Sequence, residues 1–225
     1  MNIKKYMAAM LHPKLLENLS ELQTLACELY DKLEDNSMPQ DFIERRKELL
    51  IEKIGIEKAF DGVYRAPYLN PKATNFLRSM SESFEWEPNE DEVLAYQMNE
   101  VVLKHKVPRM YEDFKALYED TLVPLWMIIS GTMATEIHSI QLAKYLPDNR
   151  PNTGWHYDDD SECTTVVELS EHPEETGASL KVFPNINLGL AKSGWVTLFN
   201  GRTVLHATEP VTSERKILVH WTYRE

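Results

Sequence analysis

Apolar residues in the first half of the chain recur at three- and four-residue spacing. Leu15, Leu16, Leu19, Leu22, Leu25, Ala26 and Leu29 fall on one face of an amphipathic helix that ends near Asp35. A second helix is predicted after Pro39, with Asp41 in its first turn and Phe42, Ile43, Leu49, Leu50 and Ile54 as its apolar contacts. Residues 61–72, DGVYRAPYLNPK, are punctuated by Gly62, Pro67 and Pro71 and read as a loop. Further helices are expected over about 71–82 and about 90–105. A long one should run from Pro108 to about Ile129, kinked at Pro124.

From Ile137 the apolar period shortens. The runs IHSIQLAKYL, CTTVVELS, ASLKVF, GWVTLFN, TVLHAT and RKILVHWTY are β-branched or aromatic and are separated by Pro, Gly, Asn and Asp clusters. Such runs predict an antiparallel barrel or sandwich. With no repeat and no Gly/Ser linker in sight, residues 1–225 are expected to form a single α+β domain. Residues 1–135 would be its mainly helical support and 136–225 its β-core.

Composition narrows the partners. Of 225 residues, 24 are Lys or Arg and 36 are Asp or Glu, a formal net charge of -12 that disfavours nucleic acid and anionic lipid. The most apolar run, LVPLWMII, is too short for a membrane span, and no targeting segment is evident. Cys27 and Cys163 have no second pair with which to form a zinc knuckle, which points to a reducing, cytoplasmic setting.

The informative segment is TGWHYDDDSECTT. His156 and Asp158 are two apart, so an extended strand would project both from one face and turn Tyr157 away. Alone this is a weak signal. Fifty residues on, His206 supplies a third ligand type in a strand-like run, and Arg215 follows nine positions later. Two imidazoles and one carboxylate leave open positions on iron(II) for a bidentate co-substrate and dioxygen. A distal carboxylate on a 2-oxoacid would need a permanently charged fork, which Arg215 offers. Pro210 in the intervening EPVTSE suggests that His206 and Arg215 lie on neighbouring antiparallel strands facing one cavity, with Lys216 on the opposite side.

Over residues 137–223 the pattern resembles the iron(II)/2-oxoglutarate-dependent oxygenases, and among them the prolyl 4-hydroxylase-like branch. The matching segments are AKYLPDNRPNTGWHYD, ETGASLKVFP, SGWVTLFN, LHATEPV and ERKILVHW. The resemblance implies a double-stranded β-helix, or jelly roll, with the N-terminal helices against its larger sheet. It implies that His156, Asp158 and His206 ligate iron and are the catalytic centre, that Arg215 pairs with the distal carboxylate of 2-oxoglutarate, and that Tyr145 adds a hydrogen bond to that co-substrate. An aspartate at 158, where related halogenases carry a small residue, implies hydroxylation.

The expected activity is therefore a dioxygenase that uses iron(II), O2 and 2-oxoglutarate to hydroxylate a C–H bond. Its substrate would be a protein side chain, an amino acid or a small metabolite, and its by-products succinate and CO2. Two alternatives stand beside it: an iron oxygenase independent of 2-oxoacids, in which Arg215 binds a substrate carboxylate, and a non-catalytic jelly-roll binding module. Tyr64, Arg65, Arg150, Arg202 and Trp155 are candidate substrate contacts, with solvated charge or core packing the ordinary alternative. Sequence alone leaves the oligomeric state open.

Overall fold

A computed structural model describes residues 9–35, 40–90 and 92–223. Pro39, the start signal assigned to the second helix, lies outside them, as does the N-terminal stretch 1–8. Helix α1 (Pro13–Asp35) packs on α2 (Gln40–Ile54) and on α5 (Pro108–Ser130). Its stripe does the packing: Leu15, Leu22 and Leu25 are fully buried, each burial contributing about 1.5–3 kcal/mol. Helix α3 (Pro71–Ser81) begins at Asn70, whose side chain accepts from the Ala73 amide, with Pro71 at the first helical position. A four-residue turn of helix, α4 (Leu103–Lys106), precedes α5, which continues through Pro124. No described helix is long and apolar enough to cross a membrane.

The strands are β1 (Glu57–Phe60), β2 (Val63–Pro67), β3 (Glu87–Pro88), β4 (Asn99–Val102), β5 (Glu136–Tyr145) and β6 (Cys163–Glu168). They continue as β7 (Leu180–Val182), β8 (Ile186–Asn187), β9 (Trp195–Phe199), β10 (His206–Thr208) and β11 (Arg215–Tyr223). Eight of them form one antiparallel sheet in the order β1-β2-β9-β6-β11-β5-β4-β3, and β10-β7-β8 form a small second sheet. The large sheet is two-sided by its period of two. Along β11, Leu218 joins the helix-side core while Arg215, Ile217, Val219 and Trp221 line a cavity on the other face. Val182 of the small sheet packs with Val63 and Phe199 of the large one, so the small sheet covers one end of that face.

Three expectations need correction. Residues 61–72 are not a loop: Gly62, at φ 72°, makes the turn of the β1–β2 hairpin, and the five residues Val63–Pro67 form β2, paired along its length to β9. The Gly and Pro residues bound a strand that is too short to show its period. The helix expected over 90–105 is replaced by turns, β4 and α4, and Val93 and Leu94 are exposed. The region before residue 135, taken as helical support, therefore also supplies β1–β4 to the large sheet.

Candidate active site

His206 opens β10, with its backbone in register with Val182 on β7. Opposite it, His156 forms a single antiparallel bridge rather than a strand: the His156 amide donates to the His206 carbonyl at 2.9 Å and the His206 amide to the His156 carbonyl at 3.0 Å. This reciprocal pair sets the two imidazoles side by side, with ring centroids 4.3 Å apart. Asp158 is not on an extended strand either. It begins a turn in which its amide donates to the Gly201 carbonyl at 3.0 Å and its carbonyl accepts from Ser161 at 2.8 Å. The spacing of two remains useful because the chain stays extended from His156 to Asp158 before turning.

Both histidines have their Nδ1 against a carbonyl oxygen, His156 on Gly154 at 2.8 Å and His206 on Val204 at 3.0 Å. A carbonyl only accepts, so each ring carries its proton on Nδ1 and presents a lone pair at Nε2. Those two Nε2 atoms lie 3.5 Å and 3.7 Å from the two Asp158 oxygens. Three electron-pair donors thus converge, and their ligand atoms all fall within 4.8 Å of one another. The set fits a divalent transition metal in the facial arrangement of two histidines and a carboxylate, with the backbone carbonyls as its outer shell.

The local electrostatics agree with that reading. Asp158 is held below the usual carboxylate range: burial opposes this, but His156, His206 and the Thr164 hydroxyl, which donates to Oδ2 at 2.6 Å, outweigh it. For His156, burial is likewise outweighed by Asp158 and the Gly154 carbonyl, so its pKa is raised. His206 is more deeply buried, and desolvation lowers its pKa.

Gly201 is a site residue that motif reading passes over. A Cβ built there would sit 2.6 Å from Thr164 Oγ1, 2.7 Å from Asp158 Cβ and 2.8 Å from the Ser161 carbonyl. Gly201→Ala is expected to cost about 1–3 kcal/mol by overpacking, lowering Tm by roughly 2–4 °C per kcal/mol. It should also displace Asp158, weakening divalent-metal affinity about tenfold, an outer-shell-sized loss. A thermal melt and a metal titration check both; unchanged metal affinity would show that Asp158 does not depend on this close approach.

The triad opens into a cavity of about 630 Å³ between the two sheets, within the range of small-ligand sites. Arg215 lines it and is almost fully buried; its Nε donates to Glu168 Oε2 at 2.9 Å, and its terminal nitrogens have no acceptor among the described residues. Lys216 faces the other way and pairs with Glu82 and Glu214. His206 and Arg215 are not on neighbouring strands as the turn between them suggested. β10 belongs to the small sheet and β11 to the large one, so the two side chains reach the cavity from different sheets.

Tyr145 is in register with Arg215, and its ring centroid lies 5.9 Å from the guanidinium carbon. Its hydroxyl donates to Met98 Sδ at 2.9 Å. Burial pushes the phenol pKa up, only partly offset by Arg215 and the Thr208 and Thr153 hydroxyls, so Tyr145 stays a neutral donor.

Other residues sort differently. Arg65 and Trp221 line the cavity, and so does His138, to which the sequence reading gave no role. Tyr64 packs on the helix-side core, Arg150 bonds Gln97 and Asn149, and Arg202 caps the Asp159 carbonyl. Trp155 is partly exposed beside Lys181 and is not a wall of the cavity, whereas Tyr157, expected to point away, is. Glu168, fully buried in the cavity wall, was not singled out because a lone strand glutamate carries no motif. Glu100 lines the same cavity, with burial first and Glu92 second raising its pKa to about 7.

No protein-family model and no curated protein matches the sequence. Solved structures do match. An oxidoreductase of the 2OG-Fe(II) oxygenase family from Burkholderia pseudomallei aligns with a TM-score of 0.59 at 14% identity, over 80% of this chain and 91% of that one. A prolyl-4-hydroxylase from Pseudomonas putida gives 0.54 at 17% identity, over 73% and 93%. A Trichoplax adhaerens prolyl hydroxylase, solved with a hypoxia inducible factor peptide fragment, gives 0.56 at 12% identity, over 84% and 95%. The fold is that of the 2OG-Fe(II) oxygenases. The N-terminal helices cover one face of the large sheet and β1 and β2 extend its edge, while its other face lines the cavity.

Proposed function

We propose that this chain is an iron(II)- and 2-oxoglutarate-dependent dioxygenase that hydroxylates a C–H bond of a protein side chain, an amino acid or a small metabolite. One observation carries the reading. In a fold shared with such oxygenases, two imidazoles with Nδ1 already committed and one carboxylate converge on a single point of one cavity. The two sheets are read as those of a double-stranded β-helix. His156, Asp158 and His206 would hold the iron, Arg215 the distal carboxylate of the co-substrate, and Tyr145 a further hydrogen bond to it.

When bound, iron(II) supplies dioxygen activation coupled to oxidative decarboxylation of 2-oxoglutarate, so that R–H, O2 and 2-oxoglutarate give R–OH, succinate and CO2. The residues of the chain do the rest. The Gly154 and Val204 carbonyls fix the imidazole tautomers, Thr164 and Gly201 fix the Asp158 carboxylate, and the β6, β9 and β11 walls exclude water from the reacting face. Glu168 takes the Nε edge of Arg215 and so turns the terminal nitrogens toward a ligand.

The same Glu168 bond supports a second reading, an iron oxygenase that uses no 2-oxoacid, because a buried carboxylate on Arg215 offsets its charge. Anaerobic titration of the metal-free protein with iron(II) and then 2-oxoglutarate separates the two. The dioxygenase gives the visible charge-transfer band of a chelated 2-oxoacid. Iron binding without the band favours the second reading, and no iron binding leaves a non-catalytic β-module. Arg215→Ala is expected to keep iron affinity and weaken 2-oxoglutarate by about tenfold or more, the worth of a charge-assisted pair. Equal 2-oxoglutarate affinity in the variant would remove Arg215 from the co-substrate site.

A further inference from the structure

The end of the cavity that holds Arg215 contains an imbalance. Glu168 is completely buried, with Oε2 on Arg215 and Oε1 accepting from the Ser170 amide, so Arg215 and Glu168 together carry no net charge. A dicarboxylate would still meet the free terminal nitrogens of Arg215 as donors, but it would find no net positive charge in the Arg215–Glu168 pair alone. The same cavity has a second arginine. Arg65 stands on β2, the strand that sequence reading took for a loop, in register with Thr197 on β9; Thr197 is in turn in register with Val166 on β6, two residues from Glu168.

The bonding of Arg65 is unusual. Its Nη1 donates to the Leu188 carbonyl at 3.0 Å and the Leu190 carbonyl at 3.3 Å, and its Nη2 to the Gly189 carbonyl at 2.8 Å. These bonds hold the guanidinium rigidly but bring it no negative charge, and no carboxylate forms a salt bridge with it among the described residues. Its Nε is buried and has no acceptor. An unmet buried donor costs about 1–3 kcal/mol, and it is the rest of the Arg65 side chain that lines the cavity. An arginine cannot relieve the burial by losing its proton.

On the oxygenase reading, we propose that Arg65 is a second cation of the co-substrate site. With Glu168 committed to orienting Arg215, Arg65 supplies the net positive charge that selects a 2-oxoacid with a distal carboxylate over one without. The segment 188–190 is pinned by Arg65 and presents Gly189 to the cavity. The residue is a specificity determinant and leaves the metal untouched.

The test compares 2-oxoglutarate with pyruvate, which has the same chelating head and no distal carboxylate, by anaerobic titration of the iron(II)-loaded protein followed by calorimetry and the charge-transfer band. Arg65→Gln is expected to weaken 2-oxoglutarate about tenfold and pyruvate less than about twofold, with iron affinity unchanged. A purely structural role would lower thermal stability and shift both ligands together or neither, and that result overturns the proposal. Should Arg65→Gln fail to fold, Arg215→Ala decides. If Arg65 contributes, that variant still prefers 2-oxoglutarate over pyruvate about tenfold; equal affinities leave Arg215 as the sole selector and overturn the proposal. Wild-type protein that binds neither 2-oxoacid refutes the 2-oxoglutarate-dependent reading itself, and the proposal with it.

Discussion

Replacing His206 with alanine is expected to abolish iron(II) binding while leaving the fold in place. The imidazole is 6% exposed, edge-on to Phe199 at 4.7 Å between centroids, with Nδ1 donating to Val204 and Nε2 facing Asp158. Its removal leaves one imidazole and one carboxylate, too few donors for a stable site. The loss should exceed the roughly 10–100-fold that follows removal of an outer-shell partner. The backbone bridge to His156 survives because it uses main-chain atoms only. The truncation also separates a lone pair from a carboxylate, which offsets part of the packing lost around Phe199. Anaerobic calorimetric titration with iron(II), alongside a thermal melt, checks both halves. Wild-type affinity in the variant would mean that the converging donors are not the metal site. Metal affinity should also fall at acid pH in the wild type, as protons compete for the same Nε2 atoms.

The second large effect concerns stability and comes from a histidine that faces away from the cavity. His220 on β11 is fully buried beside Tyr118 and Phe114, with its Nδ1 2.7 Å from the Thr165 hydroxyl and its Nε2 without a partner. Desolvation in that apolar setting brings its pKa from 6.5 down to about 3. The folded chain therefore refuses a proton that the unfolded chain accepts. The stability associated with the neutral ring is complete above pH 6.5 and is lost as pH falls from 6.5 toward 3, a total on the order of 4 kcal/mol. In His220→Gln the amide retains an acceptor for Thr165 and never charges. Its acid limb should be shallower by that amount, although it starts less stable at neutral pH because the ring contacts are lost. Urea unfolding of both proteins across pH 4–8, a window chosen at roughly the span where one proton is linked, tests this. Parallel curves would show that His220 protonates freely in the folded state.

Periodicity made the architecture legible where elements are long. The leucine stripe of α1, the apolar run of α5 and the β-branched and aromatic run of β11 are each long enough to declare themselves, and each forms the element expected of it. The two misread stretches, 61–72 and 90–105, hold strands of five and four residues. At that length a strand shows barely two alternations, and its identity depends on the edge it joins: β2 on β9, β4 on β5. Neither partner lies within a local window, Asn99 pairing with Lys144 and Val63 with Phe199.

By itself the amino-acid sequence singled out which side chains to test for the chemistry. His156, Asp158, His206 and Arg215 stand out by residue type and spacing, because metal ligation and carboxylate recognition each admit few residue types, and Tyr145 comes in only through the family resemblance. Only the tertiary structure decided how they are arranged and what supports them. It tied His156 to His206 through a two-bond bridge, placed Asp158 in a turn that requires glycine at 201, put His206 and Arg215 on different sheets, and set Glu168 and Arg65 beside Arg215. The reason is physical: a ligand atom declares itself through its own functional group, whereas a supporting carbonyl, glycine or buried carboxylate acquires its role only from the neighbour that folding brings against it.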